Sequence, residues 1–96
     1  MALAIDAPHT LALGQGYPNP FTTSAEIAFT VPASGNATLA VYNVLGHEVA
    51  RPFDGPAEAG RVYRARFEAG ALGAGVYVYR LVHGGRTLTK TLTLVK

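Results

Sequence analysis

Hydrophobic and polar residues alternate along most of the chain with a period of two. Segments 25–31, 61–68 and 76–82 show this most clearly, with their larger apolar side chains on a single face. The period is typical of β-strands that bury one face, and no segment keeps the i, i+3, i+4, i+7 spacing of a helix. The predicted strands are 9–13, 25–31, 37–45, 47–50, 61–68, 76–82 and 87–95.

Glycine and proline separate these segments. The eleven glycines and six prolines recur roughly every ten residues, a spacing typical of all-β domains. Gly46 is expected in a turn or bulge after the longest apolar strand. Residues 51–60 are expected to form a loop, and Gly84-Gly85 predicts a hairpin before the last strand.

The segment from Leu72 to Tyr77 predicts the architecture. Its spacing, Leu72-x-x-Gly75-x-Tyr77, is that of a tyrosine corner, in which the Tyr hydroxyl bonds the backbone of the preceding crossover. This device is typical of Greek-key sandwiches. Together with seven short strands, it predicts one all-β domain, an immunoglobulin-like antiparallel β-sandwich.

Residues 14–21 are expected to cross from one sheet edge to the other. Pro18 and Pro20 fix their own φ and extend the residue before each of them. Tyr17 and Phe21 are expected to pack into the core as the anchors of this crossover. A contact between this segment and a receptor is the alternative interpretation.

Composition narrows the class of protein. The chain has no cysteine, which excludes disulfides and thiolate metal sites, and its net charge of +2 is too small for a nucleic-acid footprint. No run of about eighteen apolar residues predicts a membrane span. Met1–Ile5 is short and is followed by Asp6, so no secretory signal is predicted within the chain.

Candidate catalytic and metal-binding groups are sparse. His9, His47 and His83 lie in separate segments without ligand spacing, so no metal site is predicted. The six acidic residues include no pair that the strand period would place in one pocket. Neither a catalytic constellation nor a cofactor is therefore predicted.

The terminal segment 87–95 carries the most informative pattern. Threonines occupy one face and leucines the other, and Lys90 interrupts the leucine face. A terminal strand usually lies at a sheet edge, where a lysine protects against edge-to-edge aggregation. The alternative is that a partner protein adds a strand to this edge.

Several segments together resemble a known family. They are Leu11-x-Leu-Gly-Gln-Gly-Tyr17-Pro18-Asn19-Pro20-Phe21, Ile27-x-Phe29, Val41-Tyr-Asn-Val-Leu-Gly46-x-Glu-Val49, Gly75-Val-Tyr77-Val-Tyr-Arg-Leu81 and Leu92-x-Leu94-Val95-Lys96. In this order and at these spacings, residues 9–96 resemble the C-terminal sorting domain of the type IX (Por) secretion system. That family is similar in fold to the immunoglobulin-like domain of the flagellar hook cap. Gly16 in place of the usual Asn, and Thr22-Thr23-Ser24 in place of Asn-Pro-Thr, depart from its pattern.

The resemblance implies a role in protein export. Residues 9–96 would sort and anchor a larger secreted protein, such as a hydrolase, and residues 1–8 would be the linker to it. The type IX translocon and a sortase-like peptidase would be the partners. Anionic lipopolysaccharide is a further expected partner; Arg64 and Arg66, which share a strand face, would meet it unless that face is simply solvated. The implied recognition residues are Lys90, Leu92, Leu94, Val95 and Lys96, and the implied structural motif is Tyr17, Pro18, Asn19, Pro20 and Phe21 with Gly46, Gly75 and Tyr77.

Two other functions are compatible with an immunoglobulin-like module: carbohydrate binding and a purely structural stalk or scaffold. Carbohydrate modules generally present flat, exposed aromatic side chains. This chain has no Trp, and most of its Tyr and Phe residues fall on inward faces. The sequence therefore favours a non-catalytic sorting domain that is exported to the outer cell surface or secreted.

Overall fold

The computed structural model describes residues 10–96, which form seven antiparallel strands in two packed sheets. The strands are β1 (Ala12–Leu13), β2 (Ser24–Thr30), β3 (Gly35–Tyr42), β4 (Glu48–Ala57), β5 (Tyr63–Glu68), β6 (Gly75–His83) and β7 (Arg86–Leu94). This confirms the predicted seven-stranded all-β sandwich. Within residues 10–96 there is no helix that could cross a membrane. The predicted linker 1–8, and His9, lie outside the described residues.

The two sheets have the strand orders β1-β2-β5 and β4-β3-β6-β7. Strand β4 therefore pairs with β3 and does not join the β1-β2-β5 sheet. The immunoglobulin constant domain differs, because there the fourth strand belongs to the sheet of the first, second and fifth. This arrangement leaves β4 and β7 as the two edges of the larger sheet.

The prediction of a loop over 51–60 is wrong, because β4 continues to Ala57. The prolines at 52 and 56 indicated a loop. However, β4 is an edge strand, and proline is tolerated there at positions where the backbone N–H would point away from the sheet. Phe53 explains why the segment stays on the sandwich. Its ring centroid lies 5.0 Å from that of Phe29 and 5.3 Å from that of Tyr63.

The core lies between the sheets and follows the predicted alternation. The largest fully buried side chains are Tyr79, Phe21, Phe29, Phe67, Ile27, Leu39, Leu81, Leu92, Leu94, Val31 and Val41. They come from the inward positions of β2, β3, β5, β6 and β7, from the crossover that precedes β2, and from Val31 directly after β2. Burial of such side chains is the main stabilising contribution to folding.

The predicted tyrosine-corner bond is present. The Tyr77 hydroxyl donates to the carbonyl oxygen of Gly73 over 2.6 Å. The Tyr77 ring is buried, and its centroid lies 5.9 Å from that of Phe67 on the opposite sheet. This bond fastens the turn before β6 to the start of that strand.

Candidate recognition edge

Residues 14–21 close one side of the sandwich by pairing with both sheets. At Tyr17 the backbone exchanges two hydrogen bonds with Glu26 of β2, of 2.9 and 2.8 Å. At Phe21 the N–H donates to the Thr93 carbonyl and the carbonyl accepts from the Val95 N–H, each over 2.9 Å. The crossover is thus a parallel neighbour of β7 at its far end. The peptide bonds before Pro18 and Pro20 are both cis.

A buried tyrosine fastens the crossover to the core. The Tyr79 hydroxyl donates to the Gly14 carbonyl over 2.7 Å and accepts from the Gly16 N–H over 2.9 Å. Burial raises the pKa of Tyr79 above its ordinary value, and the bond from Gly16 partly opposes this shift. Tyr79 is fully buried, so this bridge fixes the path by which the chain leaves β1.

Gly16 lies directly against the terminal strand. A Cβ at this position would stand 2.6 Å from Cδ2 of Leu92, which is fully buried. The departure from Asn to Gly at position 16 therefore lets the crossover approach Leu92 closely. It couples the path of the crossover to the packing of β7.

The prediction that Tyr17 packs into the core is wrong, whereas the same prediction for Phe21 is confirmed. Phe21 is fully buried, but the Tyr17 side chain is 79% exposed. The Tyr17 backbone pairs with Glu26 of β2, so side chains along this segment alternate between inward and outward positions. Gly16 occupies the inward position, and Tyr17 points outward. An aromatic side chain is therefore displayed to solvent beside the terminal strand.

The crossover covers only the far half of the β7 edge. The Thr91 carbonyl accepts from Gln15 Nε2 over 2.9 Å, and the Thr93 N–H donates to Asn19 Oδ1 over 3.0 Å. Backbone groups along the β6–β7 ladder alternate in direction from residue to residue. The N–H and C=O groups of Thr87 and Thr89 therefore point away from β6, as those of Thr91 and Thr93 do. Neither has a backbone partner among residues 10–96 on this side. We call residues 15–21 together with 86–96 the terminal edge.

The terminal edge brings together two sets of residues that are far apart in the sequence, the Tyr17–Phe21 motif and the terminal strand. Leu92 and Leu94 are buried, which makes them core residues. The implied recognition residues that remain accessible are Lys90, Val95 and Lys96. The other motif positions lie elsewhere: Gly46 in the β3–β4 turn, and Gly75 and Tyr77 at the start of β6.

Charge is distributed unevenly over the described residues. Every acidic residue from Glu26 to Glu68 lies within 4 Å of an arginine: Glu26 with Arg64, Glu48 and Asp54 with Arg51, Glu58 with Arg61, and Glu68 with Arg66. The β6–β7 hairpin and the two residues after it carry four cations and no acid: Arg80, Arg86, Lys90 and Lys96. None of the four has an ion-pair partner among residues 10–96. Three of the four, Arg86, Lys90 and Lys96, belong to the terminal edge, which is consequently electropositive.

The Arg64–Arg66 face does not form a free cationic patch. Arg64 lies 3.8 Å from Glu26, and Arg66 lies 3.6 Å from Glu68. Carboxylates so close offset much of the charge that an anionic surface would meet. The solvated interpretation of this face is therefore favoured over a contact with lipopolysaccharide.

The described residues contain no cluster of His, Asp and Glu that could hold a metal ion. His83 is buried, and its Nε2 lies within hydrogen-bond distance, 2.9 Å, of the Ala33 carbonyl oxygen. What the terminal edge offers chemically is backbone donors and acceptors, exposed cations and one exposed aromatic ring. Such a set suits the binding of another polypeptide.

Sequence reasoning missed the roles of Gln15 and Tyr79. The role of Tyr79 could have been inferred, because a tyrosine on an inward face needs a partner for its hydroxyl. Gln15 carries no such signal, since its bond to Thr91 joins residues 76 positions apart. The exposure of Tyr17 depended on the pairing of its backbone, which local pattern does not reveal.

Comparison with known proteins agrees with the geometry. A family model described as a secretion system C-terminal sorting domain matches residues 15–95. The match includes every strand from β2 to β7, the crossover apart from Gly14, and the terminal edge apart from Lys96. No curated protein matches the chain. Because the family model spans most of the sequence, the chain belongs to the family of C-terminal sorting domains of type IX secretion.

Proposed function

We propose that this domain is the address of a larger exported protein, such as a hydrolase, and that the terminal edge is the surface read by the type IX translocon. Membership of the sorting-domain family is the observation that carries the proposal. The proposed role is that of a signal and an anchor, with no chemistry performed by the domain itself. The cargo would be delivered to the cell surface or released.

Three features of the terminal edge support its role in recognition. Tyr17 is 79% exposed although it belongs to a motif whose other aromatic residue, Phe21, is core. Lys90 and Lys96 are exposed and have no acidic partner among residues 10–96. Before Thr91, no backbone segment among residues 10–96 bonds to the outer side of β7, where an extended partner segment could add a strand.

The processing step belongs to the same proposal. A sortase-like peptidase would cut within residues 1–8. The described bonds between the crossover and β7 all join residues between Gln15 and Val95, so a cut there would remove none of the bonded residues. Cleavage would then release the folded domain from its cargo.

The proposal is tested by fusing residues 1–96 to the C-terminus of a reporter that carries an inner-membrane export signal. The fusion is expressed in a bacterium with type IX secretion and in the same strain lacking its outer-membrane translocon. We expect reporter at the cell surface or in the medium of the first strain and in the periplasm of the second. Equal distribution in both strains would refute the sorting role.

A further inference from the structure

A groove on the outer face of the larger sheet borders the terminal edge, because Val78 and Arg80 in its lining are the cross-strand partners of Thr91 and Thr89 of β7. It has a volume of about 280 Å³ and is lined by Tyr42, Asn43, Val44, Gly46, Val78 and Arg80. Tyr42 and Val78 are cross-strand partners, and Arg80 stands opposite Ala40 one step further along. The groove thus lies where β3 ends and its turn begins.

Arg80 is held in place without an acidic partner. Its guanidinium carbon lies 4.8 Å from the centroid of the Tyr42 ring, within the range of a cation–π contact. Ala40 is buried although it lies on the outward face, as expected if the Arg80 stem passes over it. The acids of residues 10–96 are all engaged by other arginines, so the charge of Arg80 is not offset within the described chain.

The turn beside the groove is rigid and apolar at its tip. Asn43 Oδ1 accepts from the N–H groups of Leu45 and His47, each over 3.0 Å, and the Gly46 N–H donates to the Asn43 carbonyl over 3.0 Å. Gly46 has φ +87°, which favours glycine. Val44 and Leu45 are nevertheless 75% and 76% exposed. Apolar side chains fixed in solvent are typical of binding surfaces.

The polar groups of the groove are mainly hydrogen-bond donors. The Arg80 guanidinium has donors arranged to bind a carboxylate through two bonds, and Asn43 Nδ2 makes no hydrogen bond within residues 10–96. Val44 and Val78 supply apolar walls on either side. One cation between apolar groups suits a single carboxylate with apolar neighbours better than a polyanion, which calls for several convergent cations.

We propose that this groove binds a glutamate or aspartate side chain of a different protein, with the apolar neighbours of that residue packed on Val44 and Leu45. A second copy of this chain is a poor occupant, because its described carboxylate side chains are already paired with arginines. Charge complementarity therefore points to a partner with an unpaired acid. The groove borders the terminal edge, but none of its lining residues belongs to that edge, and the proposal does not depend on the sorting role.

The probe is the peptide acetyl-Leu-Glu-Leu-amide, titrated into the ¹⁵N-labelled chain of 96 residues. We expect saturable shifts of amide signals confined to residues 42–46 and 78–80. The isosteric peptide acetyl-Leu-Gln-Leu-amide should bind about tenfold more weakly, the loss expected for one charge-assisted hydrogen bond. Arg80→Gln should weaken binding of the Glu peptide to the same extent.

Arg61 provides the matched control. Its guanidinium carbon lies 5.3 Å from the centroid of the Tyr63 ring, but its Nη1 lies 3.8 Å from Oε1 of Glu58. Arg61→Gln should leave binding of the Glu peptide unchanged. Val44→Ser supplies a second probe that does not alter Arg80, and it should weaken the Leu-flanked peptide while the melting temperature stays constant.

Several results would overturn the proposal. One is that the Glu and Gln peptides bind with equal affinity, or that neither binds. Another is that the amide signals that shift lie mainly outside the groove. A third is that Arg61→Gln and Arg80→Gln lower the affinity for the Glu peptide equally. Tighter binding of an oligogalacturonate than of the Glu peptide would assign the groove to an acidic polysaccharide. Dimerisation through this face, seen by sedimentation and abolished by Arg80→Gln, would assign it to a second copy.

Discussion

Two tyrosines on the same face of β6 perform related but unequal tasks. Tyr77 donates one bond to the carbonyl of Gly73, which is an exposed residue. Tyr79 makes two bonds to the crossover, and one of them satisfies the N–H of Gly16, which is buried. A buried donor left without a partner costs more than an exposed one, because no water replaces the lost bond. Tyr79 therefore connects the core to the terminal edge.

Replacing each hydroxyl separately tests this difference. We expect Tyr79→Phe to lower the free energy of unfolding by about 2–3 kcal/mol and Tyr77→Phe by about 1 kcal/mol, each with the fold retained. Urea midpoints of the two variants and the wild type, with circular dichroism to confirm the β fold, provide the measurement. A midpoint for Tyr79→Phe at or above that for Tyr77→Phe would contradict the role assigned to the bridge.

The raised pKa of Tyr79 adds a pH dependence. Because the pKa is higher in the folded than in the unfolded state, the stabilisation is complete below the unfolded value of about 10 and is lost as the pH rises through the folded value. The wild type should therefore lose more stability than Tyr79→Phe between about pH 8 and about pH 11. Urea midpoints at the two pH values would measure the loss, and equal losses in both proteins would contradict the assignment.

At the scale of elements, alternation predicted the strands that have one buried face. Segments 25–31, 61–68 and 76–82 correspond closely to β2, β5 and β6. The start of β4 was predicted as the strand 47–50, but its continuation to Ala57 was missed because its prolines occupy an edge, where the ladder tolerates them. The predicted first strand 9–13 is reduced to two residues within the described chain, Ala12–Leu13.

The terminal edge could not be predicted from local pattern. It is formed by bonds between residues far apart in sequence, such as the one that joins Asn19 to Thr93 over 74 positions. Alternation did identify the leucine and threonine faces of β7. It did not show which backbone groups of that strand the crossover would cover. The half of the edge that residues 10–96 leave without a backbone partner therefore emerges only from the folded chain.

Strand addition to that half of the edge makes a specific prediction. Thr89 points its N–H outward and has no backbone partner there among residues 10–96. Thr89→Pro should therefore alter the melting temperature little, since an edge strand tolerates proline, yet reduce reporter display strongly. Thr89→Ala, which keeps the N–H, is the matched control and should display normally. Normal display of folded Thr89→Pro would show that the partner does not pair with this backbone.

At the scale of the whole molecule, the sandwich separates structural from accessible residues. One side of it is closed by the crossover and β7, and this side carries unpaired cations and an exposed tyrosine. The acids and their arginines lie on β2, β4 and β5 and in the loop that follows β4. Exposed ion pairs of that kind contribute little to stability. The uneven charge is therefore more relevant to the choice of partner than to folding.

The most direct test of recognition at the terminal edge is surface display of the reporter fusion in the type IX host. The variants are Tyr17→Ala and the pair Lys90→Ala with Lys96→Ala, and the control is Val62→Ala at an exposed position in the loop between β4 and β5. All of these side chains are exposed, so each purified variant should melt near the wild-type temperature. We predict that the Tyr17 and double-lysine variants lose most of the display and that Val62→Ala keeps it. Undiminished display of both folded terminal-edge variants would contradict recognition at this edge.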